Sequence, residues 1–238
     1  NVKKGDLFVS IKGNKFDGNQ YVQQAINKGA KVIVYSGKIK KVKQRTFINI
    51  KDTRNILAKI STKYFKNKPK NIVAVTGTNG KTSVSDFFHQ IFTHEKIKSG
   101  FIGTLGLKKN KVLKKRNLTT LDSLSLNRDL DQLKKSKINN VIIEASSHGL
   151  KQKRLNFLKI KVGIFTNLSH DHLDYHKNMK DYFQSKLILF KNILEQNSTV
   201  ITDTDIKQYK HIKKLQIRKK LKILTIGSKS NILQVLNH

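Results

Sequence analysis

The chain has 238 residues, 37% of them hydrophobic, with no cysteine and a formal charge of +34. That length supports one or two compact domains with a real core, and the lack of cysteine excludes disulfides and thiolate metal sites, as suits a reducing compartment. No apolar run approaches the roughly 20 residues that span a bilayer and no charged-then-apolar leader opens the chain, so a cytoplasmic, soluble protein without membrane contact is expected.

Residues 5–13, GDLFVSIKG, read as a strand with a glycine exit. A short helix follows on Tyr21, Val22, Ala25 and Ile26, stopped at Gly29, then a strand at Val32–Tyr35. This predicts a small α/β domain over residues 1–66. The stretch KNKPK (66–70) holds the only proline, Pro69, and is the expected linker. From residue 71 strand, loop and helix alternate. NIVAVTG is a buried strand, and the helix after it carries an apolar stripe of Val84, Phe87, Phe88, Ile91 and Phe92. KKNKVLKKR (108–116) reads as a solvated hairpin or loop. NNVIIEASS, VGIFTNLS, TVITD and KILTIGS supply four more strands. The expected fold class is α/β, with a mainly parallel, doubly wound sheet over residues 67–238. Ligands of such sheets bind at the carboxyl ends of the strands, where this sequence places GTNGKTS, EASSH and TNLSHDH. Asn1 is not an initiator methionine, and ILTIGSKSNILQVLNH begins what reads as another strand-and-loop unit, so a portion of a longer chain is expected.

The charge has two readings. One is nucleic-acid binding. The other is codon composition: six Arg stand among the 49 basic residues, and Lys is scattered beside abundant Asn and Ile, all three with A/T-rich codons. Nucleic-acid faces favour Arg with interleaved aromatics, so nucleic acid is not the expected partner. The field favours anionic ligands such as nucleotides.

GTNGKTS (77–83) has the parts of a phosphate cradle: glycines that let backbone N–H groups approach, a lysine, and a hydroxyl for Mg²⁺. It departs from the strict Walker pattern, which would place glycine where Val75 stands. Glu144, ending a buried strand, can reach a phosphate-held metal or sit in a salt bridge. Ser146, Gln152 and Arg154 can bind an anionic or hydroxyl-rich ligand. TNLSHDHLDYH (166–176) has three readings: a zinc cluster of His170, His172, Asp174 and His176, a Mg²⁺ and nucleotide loop, or a polar turn. Tyr175 breaks the usual zinc spacing, and the phosphate loop upstream favours the second reading. Lys186 lies on the apolar helical face of Phe183, Leu187, Phe190 and Leu194. Desolvation there would release a neutral amine able to add CO₂, whereas periodicity alone favours a snorkelled ammonium.

GTNGKTS, NLTTLDS (117–123), EASSHGLKQKR, FTNLSHDHLDYH and the Lys186 helix together resemble the Mur ligases, the MurE type most closely, in order and spacing, over most of the chain. The resemblance implies an ATP-dependent carboxylate–amine ligase of peptidoglycan precursor synthesis. It would add a free amino acid, diaminopimelate or lysine, to UDP-MurNAc-L-Ala-D-Glu through an acyl phosphate, with ATP and Mg²⁺ as cofactors and a monomer as the working form. It implies that Gly77, Thr78, Asn79, Gly80, Lys81, Thr82 and Ser83 hold ATP, with Asn167 in the same nucleotide site. Thr82, Glu144, His172 and Lys186, the last as a carbamate, would hold metal, and Lys81, Glu144, His172 and Lys186 would be catalytic. Asn14, Lys15, Phe16, Thr119, Thr120, Ser146, Gln152 and Arg154 fall at positions that bind the UDP-linked substrate. Residues 1–66 would be the UDP-binding domain and 67–238 most of the ATPase domain, with the amino-acid-binding domain absent. The run Thr202-Asp203-Thr204-Asp205 departs from the family's Asn-x-Asp-Asp on the adenine side. A folylpolyglutamate synthase-like ligase, a metallo-hydrolase and a basic nucleic-acid-binding ATPase are the alternatives.

Overall fold

The computed structural model describes residues 2–13, 16–109, 112–115 and 117–234. The chain divides into two compact units, residues 1–60 and 61–238. The first contains β1 (Leu7–Val9), a 3₁₀ turn leading into α1 (Val22–Asn27), β2 (Val32–Tyr35) and β3 (Thr46–Asn49). Its three strands are parallel in the order β1-β2-β3. Val22, Ala25 and Ile26 on one face of α1 pack with Ala30, Ile33 and Tyr35. Helix α2 (Thr53–Tyr64) spans the division, and the sequence-based boundary at 66/67 lies just past its end.

The second unit holds a nine-stranded sheet built from β4 (Asn71–Thr76), β5 (Ser99–Gly103), β6 (Gly106–Lys109), β7 (Val112–Lys114), β8 (Asn140–Glu144), β9 (Val162–Phe165), β10 (Thr199–Asp203), β11 (Lys222–Gly227) and β12 (Leu233–Gln234). The order is β12-β11-β10-β9-β4-β8-β5-β6-β7. Every pairing is parallel except β5–β6 and β6–β7, so KKNKVLKKR contributes to an antiparallel hairpin at one edge. Central strand β4 is buried on both faces because successive side chains alternate. Ile72 and Ala74 join a large core with Leu126, Leu130, Leu150, Phe183 and Ile212, which come from α4 (Ser123–Lys135), α5 (Ser147–Lys151), α6 (Met179–Ile188) and α7 (Tyr209–Lys219). Val73 and Val75 face the other way, toward Phe101, Ile142 and α3 (Lys81–His94). That second role explains Val75 at the strict Walker glycine position: the strand continues through it as core.

Two sequence-based expectations change. Only part of the apolar stripe of α3 faces the core, where Val84 and Phe88 pack. Phe87 and Ile91 are 59% and 60% exposed, whereas Ser85 and His89 are buried. His89 Nδ1 meets Ser99 Oγ on β5 at 2.8 Å, so a polar pair occupies the close approach and turns the stripe partly outward. The KNKPK stretch, expected as the linker, falls within the second unit and is tied to it. The Asn67 amide and side chain donate to Asp131 on α4 at 3.2 and 2.9 Å. Among the described residues no helix is long and apolar enough to cross a membrane.

Candidate active site

Strand β4 delivers Gly77 at its carboxyl end with φ of +153°. A Cβ there would lie 1.8 Å from Thr166 Oγ1, so only glycine admits the loop after β9 this closely. That loop clamps the phosphate loop. Asn167 Oδ1 accepts from the Asn79 amide at 2.9 Å, the Thr78 amide donates to Asn167 O at 3.0 Å, and Thr166 Oγ1 donates to Asn79 O at 2.7 Å. The Ser169 amide donates to Thr78 Oγ1 at 3.0 Å. Asn167 therefore shapes the loop by accepting from two of its backbone amides, one through its side-chain oxygen and one through its own carbonyl. Helix α3 starts after Gly80 with no side-chain cap, so its first-turn N–H groups remain available to an anion.

Glu144, at the tip of β8, is fully buried. Its carboxylate accepts from the Thr104 amide and hydroxyl, each at 3.0 Å. Thr104 follows β5, the strand beside β8, and the sequence reading missed it. The signal was there, since the rule that sites gather at carboxyl ends of strands applies to β5 as well. Close packing reinforces the contact: a Cβ at Gly103 would come within 2.2 Å of Glu144 Oε1.

Lys81 Nζ donates to Gly77 O at 3.0 Å and Thr78 O at 2.6 Å. Burial lowers its pKa, and the negative charges of Glu144 and Asp171 oppose that shift. Lys186 is 1% exposed. Its Nζ donates to Gly77 O at 2.6 Å and lies 4.2 Å from the centre of the Tyr182 ring. Burial first, and the nearby Lys81 charge second, bring its pKa down to about 7. The snorkelled ammonium that periodicity favoured is thus overturned: the amine points inward to a backbone carbonyl. His172 adopts a left-handed backbone, φ +53°, with its ring edge-on to His148 at 5.0 Å.

Lys81, Thr82, Glu144, His172 and Lys186 line one cavity of about 240 Å³, together with the rest of the loop from Thr78 to Ser83, Thr119 and Ser146. Thr120 is buried behind it. Its hydroxyl donates to Glu144 O at 2.8 Å and accepts from the Ser146 amide at 2.9 Å. Ser146 caps α5 through the Gly149 amide at 3.1 Å. Arg154 binds Thr120 O and, at 2.7 Å, Gln152 Oε1, and neither Arg154 nor Gln152 lines the cavity. Phe16 is exposed in the first unit, and Asn14 and Lys15 lie outside the described residues.

The zinc-cluster reading gains no support. His176 is buried, with Nε2 3.0 Å from Ser147 Oγ and Nδ1 3.3 Å from Asp181. Among the described residues no group of three or more His, Cys, Asp or Glu side chains is placed to hold a metal ion. In the Thr202–Asp205 run, Asp203 accepts from the Asp205 amide at 2.7 Å and Asp205 from the Ser228 amide at 2.8 Å. These carboxylates shape the loops that follow β10 and β11.

A mainly parallel sheet with a phosphate-type loop at its central strand, a buried carboxylate on the adjoining tip and a small α/β unit defines a phosphate-loop α/β protein. Within that class the chain belongs to the Mur ligase family. The sequence model of the Mur ligase middle domain matches residues 75–237, and that of the Mur ligase family catalytic domain matches residues 1–65. The UDP-N-acetylmuramoyl-L-alanyl-D-glutamate–2,6-diaminopimelate ligase of Rickettsia conorii is 36% identical over 235 residues, which cover 97% of this chain and 49% of the relative. A solved structure of a ligase of that same name superposes with a TM-score of 0.83 at 28% identity, covering 98% of this chain and 47% of the other. The MurF ligase from Thermotoga maritima in complex with ADP shares the fold, with a TM-score of 0.59 at 20% identity over 96% of this chain and 49% of that one. The chain spans about half the length of the curated relatives it matches.

Proposed function

We propose that the chain forms the ATP-binding and UDP-substrate-binding part of an ATP-dependent amide ligase. The enzyme adds the third amino acid to UDP-MurNAc-L-Ala-D-Glu in the cytoplasm, as a monomer, during peptidoglycan precursor synthesis. The names of relatives such as the Rickettsia conorii protein favour diaminopimelate over lysine. The observation that carries the reading is the convergence of Lys81, Glu144, His172 and Lys186, from four separate segments, on one cavity. Residues 1–66 bind the uridine end through Asn14, Lys15 and Phe16, and Thr119, Thr120, Ser146, Gln152 and Arg154 bind or support the rest of the substrate.

In the reaction, the D-glutamyl carboxylate attacks the γ-phosphorus of ATP, ADP leaves, and an acyl phosphate forms. The amino group of the incoming amino acid then attacks the acyl carbon, and the tetrahedral intermediate collapses to amide and inorganic phosphate. Phosphoryl transfer depends mainly on positioning and charge neutralisation. The Gly77–Ser83 loop holds the phosphates through the uncapped first-turn amides of α3, Asn167 keeps the loop in shape by taking up the Thr78 and Asn79 amides, and Lys81 neutralises the outer phosphates.

The donor set fits Mg²⁺, a hard cation that takes one or two carboxylates plus phosphate oxygens. A carboxylate offers about four lone-pair sites, and Thr104 occupies only part of those on Glu144. Thr82, Glu144, His172 and a carbamate on Lys186 would hold it, and bound Mg²⁺ supplies charge neutralisation at the transferring phosphoryl group. The Lys186 amine adds CO₂ and loses one proton to become the carbamate. This turns a repulsive Lys81–Lys186 pair into an attractive one, while the remaining N–H can still donate to Gly77 O.

The test is a ligation assay on the chain extended to the length of its relatives, with ATP, Mg²⁺, UDP-MurNAc-L-Ala-D-Glu and each amino acid in turn. ADP release that depends on diaminopimelate or lysine is expected. A folded protein that ligates neither removes the proposal.

A further inference from the structure

A second cavity, of about 370 Å³, opens at the other end of the two strands that form the phosphate loop and its clamp. Its apolar floor is Pro69, Ile72, Phe157 and Leu158. Five ammonium groups surround that floor, from Lys66, Lys68, Lys70, Lys159 and Lys161. Two are held in place: Lys68 donates to Phe65 O, and Lys161 donates to Asn71 Oδ1 at 3.2 Å. Burial lowers the Lys68 pKa, with Asp131 opposing. Holding cations over an apolar surface before a ligand arrives reduces what must be ordered on binding.

A further feature points to an occupant. Phe157 is 46% exposed and has φ of +67°, a left-handed backbone that bulky residues rarely adopt. Strain of this kind gathers at ligand clamps and active sites. The volume lies at the low end of the range for small-molecule pockets, which favours a small molecule over a peptide or a nucleic acid.

We propose that this cavity binds a small anion with a flat aromatic body, of the nucleoside monophosphate class, at a site separate from the phosphate loop. The aromatic body lies on the exposed ring of Phe157 and the phosphate meets the lysines, since apolar burial and charge pairing each need their own part of the ligand.

Pyridoxal 5′-phosphate is a suitable probe, because it pairs an aromatic plate with a phosphate and its aldehyde forms an imine with a nearby neutral lysine. The 238-residue chain is titrated with it, reduced with borohydride, digested and mapped by mass spectrometry. Saturable labelling concentrated at Lys68, Lys70 or Lys161 is expected. AMP should suppress it at concentrations where inorganic phosphate does not. Phe157→Ser, or Lys70→Glu with Lys159→Glu, all at exposed positions, should weaken labelling of the remaining cavity lysines at least tenfold while circular dichroism stays unchanged. Labels spread over surface lysines in proportion to exposure, confined to Lys81 and Lys186, or suppressed equally by phosphate and AMP would overturn the proposal.

Discussion

Replacing Lys186 with Met tests the reading of the buried amine. In the folded chain its pKa is about 7, against 10.5 for an unhindered lysine. The unfolded chain therefore keeps the proton between those values while the folded chain releases it, so the contribution of Lys186 to stability rises with pH across that window and is lost as pH falls through about 7. At about 1.4 kcal/mol per pKa unit, holding the ammonium buried at pH 6 costs roughly 5 kcal/mol, and at pH 9 about 2. Met keeps the length and apolar character of the side chain without the charge. The Gly77 carbonyl retains Lys81 as a donor in the variant, so the offsetting loss is a single hydrogen bond, about 1 kcal/mol. Lys186→Met should thus be more stable than the parent by about 3–4 kcal/mol at pH 6, and the advantage should shrink by about 3 kcal/mol at pH 9. Urea unfolding followed by far-ultraviolet circular dichroism measures this, in buffers freed of CO₂ so that no carbamate forms. A variant less stable than the parent at both pH values, by the same amount, would refute the buried-ammonium reasoning.

In the extended enzyme, Lys186→Ala should abolish ligation, with partial rescue by acetate as a replacement carboxylate; parental rates without acetate would count against the carbamate. Gly77→Ala should destabilise the second unit by about 2–4 kcal/mol, because its Cβ meets Thr166 Oγ1. Adding Thr166→Ala should recover part of that loss in thermal unfolding. Glu144→Gln should lower ADP affinity in calorimetry at least tenfold with Mg²⁺ and little without it, and an equal loss in both conditions would assign Glu144 a structural role. Lys81→Ala should weaken ADP binding by about 1.5–3 kcal/mol, the range for hydrogen bonds to charged groups.

Much of this molecule was legible in one dimension. Strands β4, β8, β9, β10 and β11 appear as short apolar runs, several leaving through glycine or polar loops; in central β4 and β8 this is because a strand buried on both faces has no polar side to show. The phosphate loop, Glu144 and the His-rich turn stood out because each follows such a run. Period alone could not set the phase of α3 against the sheet. The helix presents Ser85 and His89 inward because Ser99, on a different strand, offers His89 a partner. Nor could it place the Lys186 amine, whose acceptor is Gly77 O, 109 residues away.

By itself the sequence determined the element types and the chemistry available at each strand tip, since both follow from local periodicity and residue identity. The strand order β9-β4-β8-β5 alone decided which tips meet. It placed Thr104 against Glu144, closed the clamp of Thr166 and Asn167 over the phosphate loop, and left the Lys186 amine with a carbonyl instead of water. Those outcomes depend on pairings between segments far apart in the chain. Such pairings are settled by how the whole sheet buries its two faces, and no local stretch carries that information.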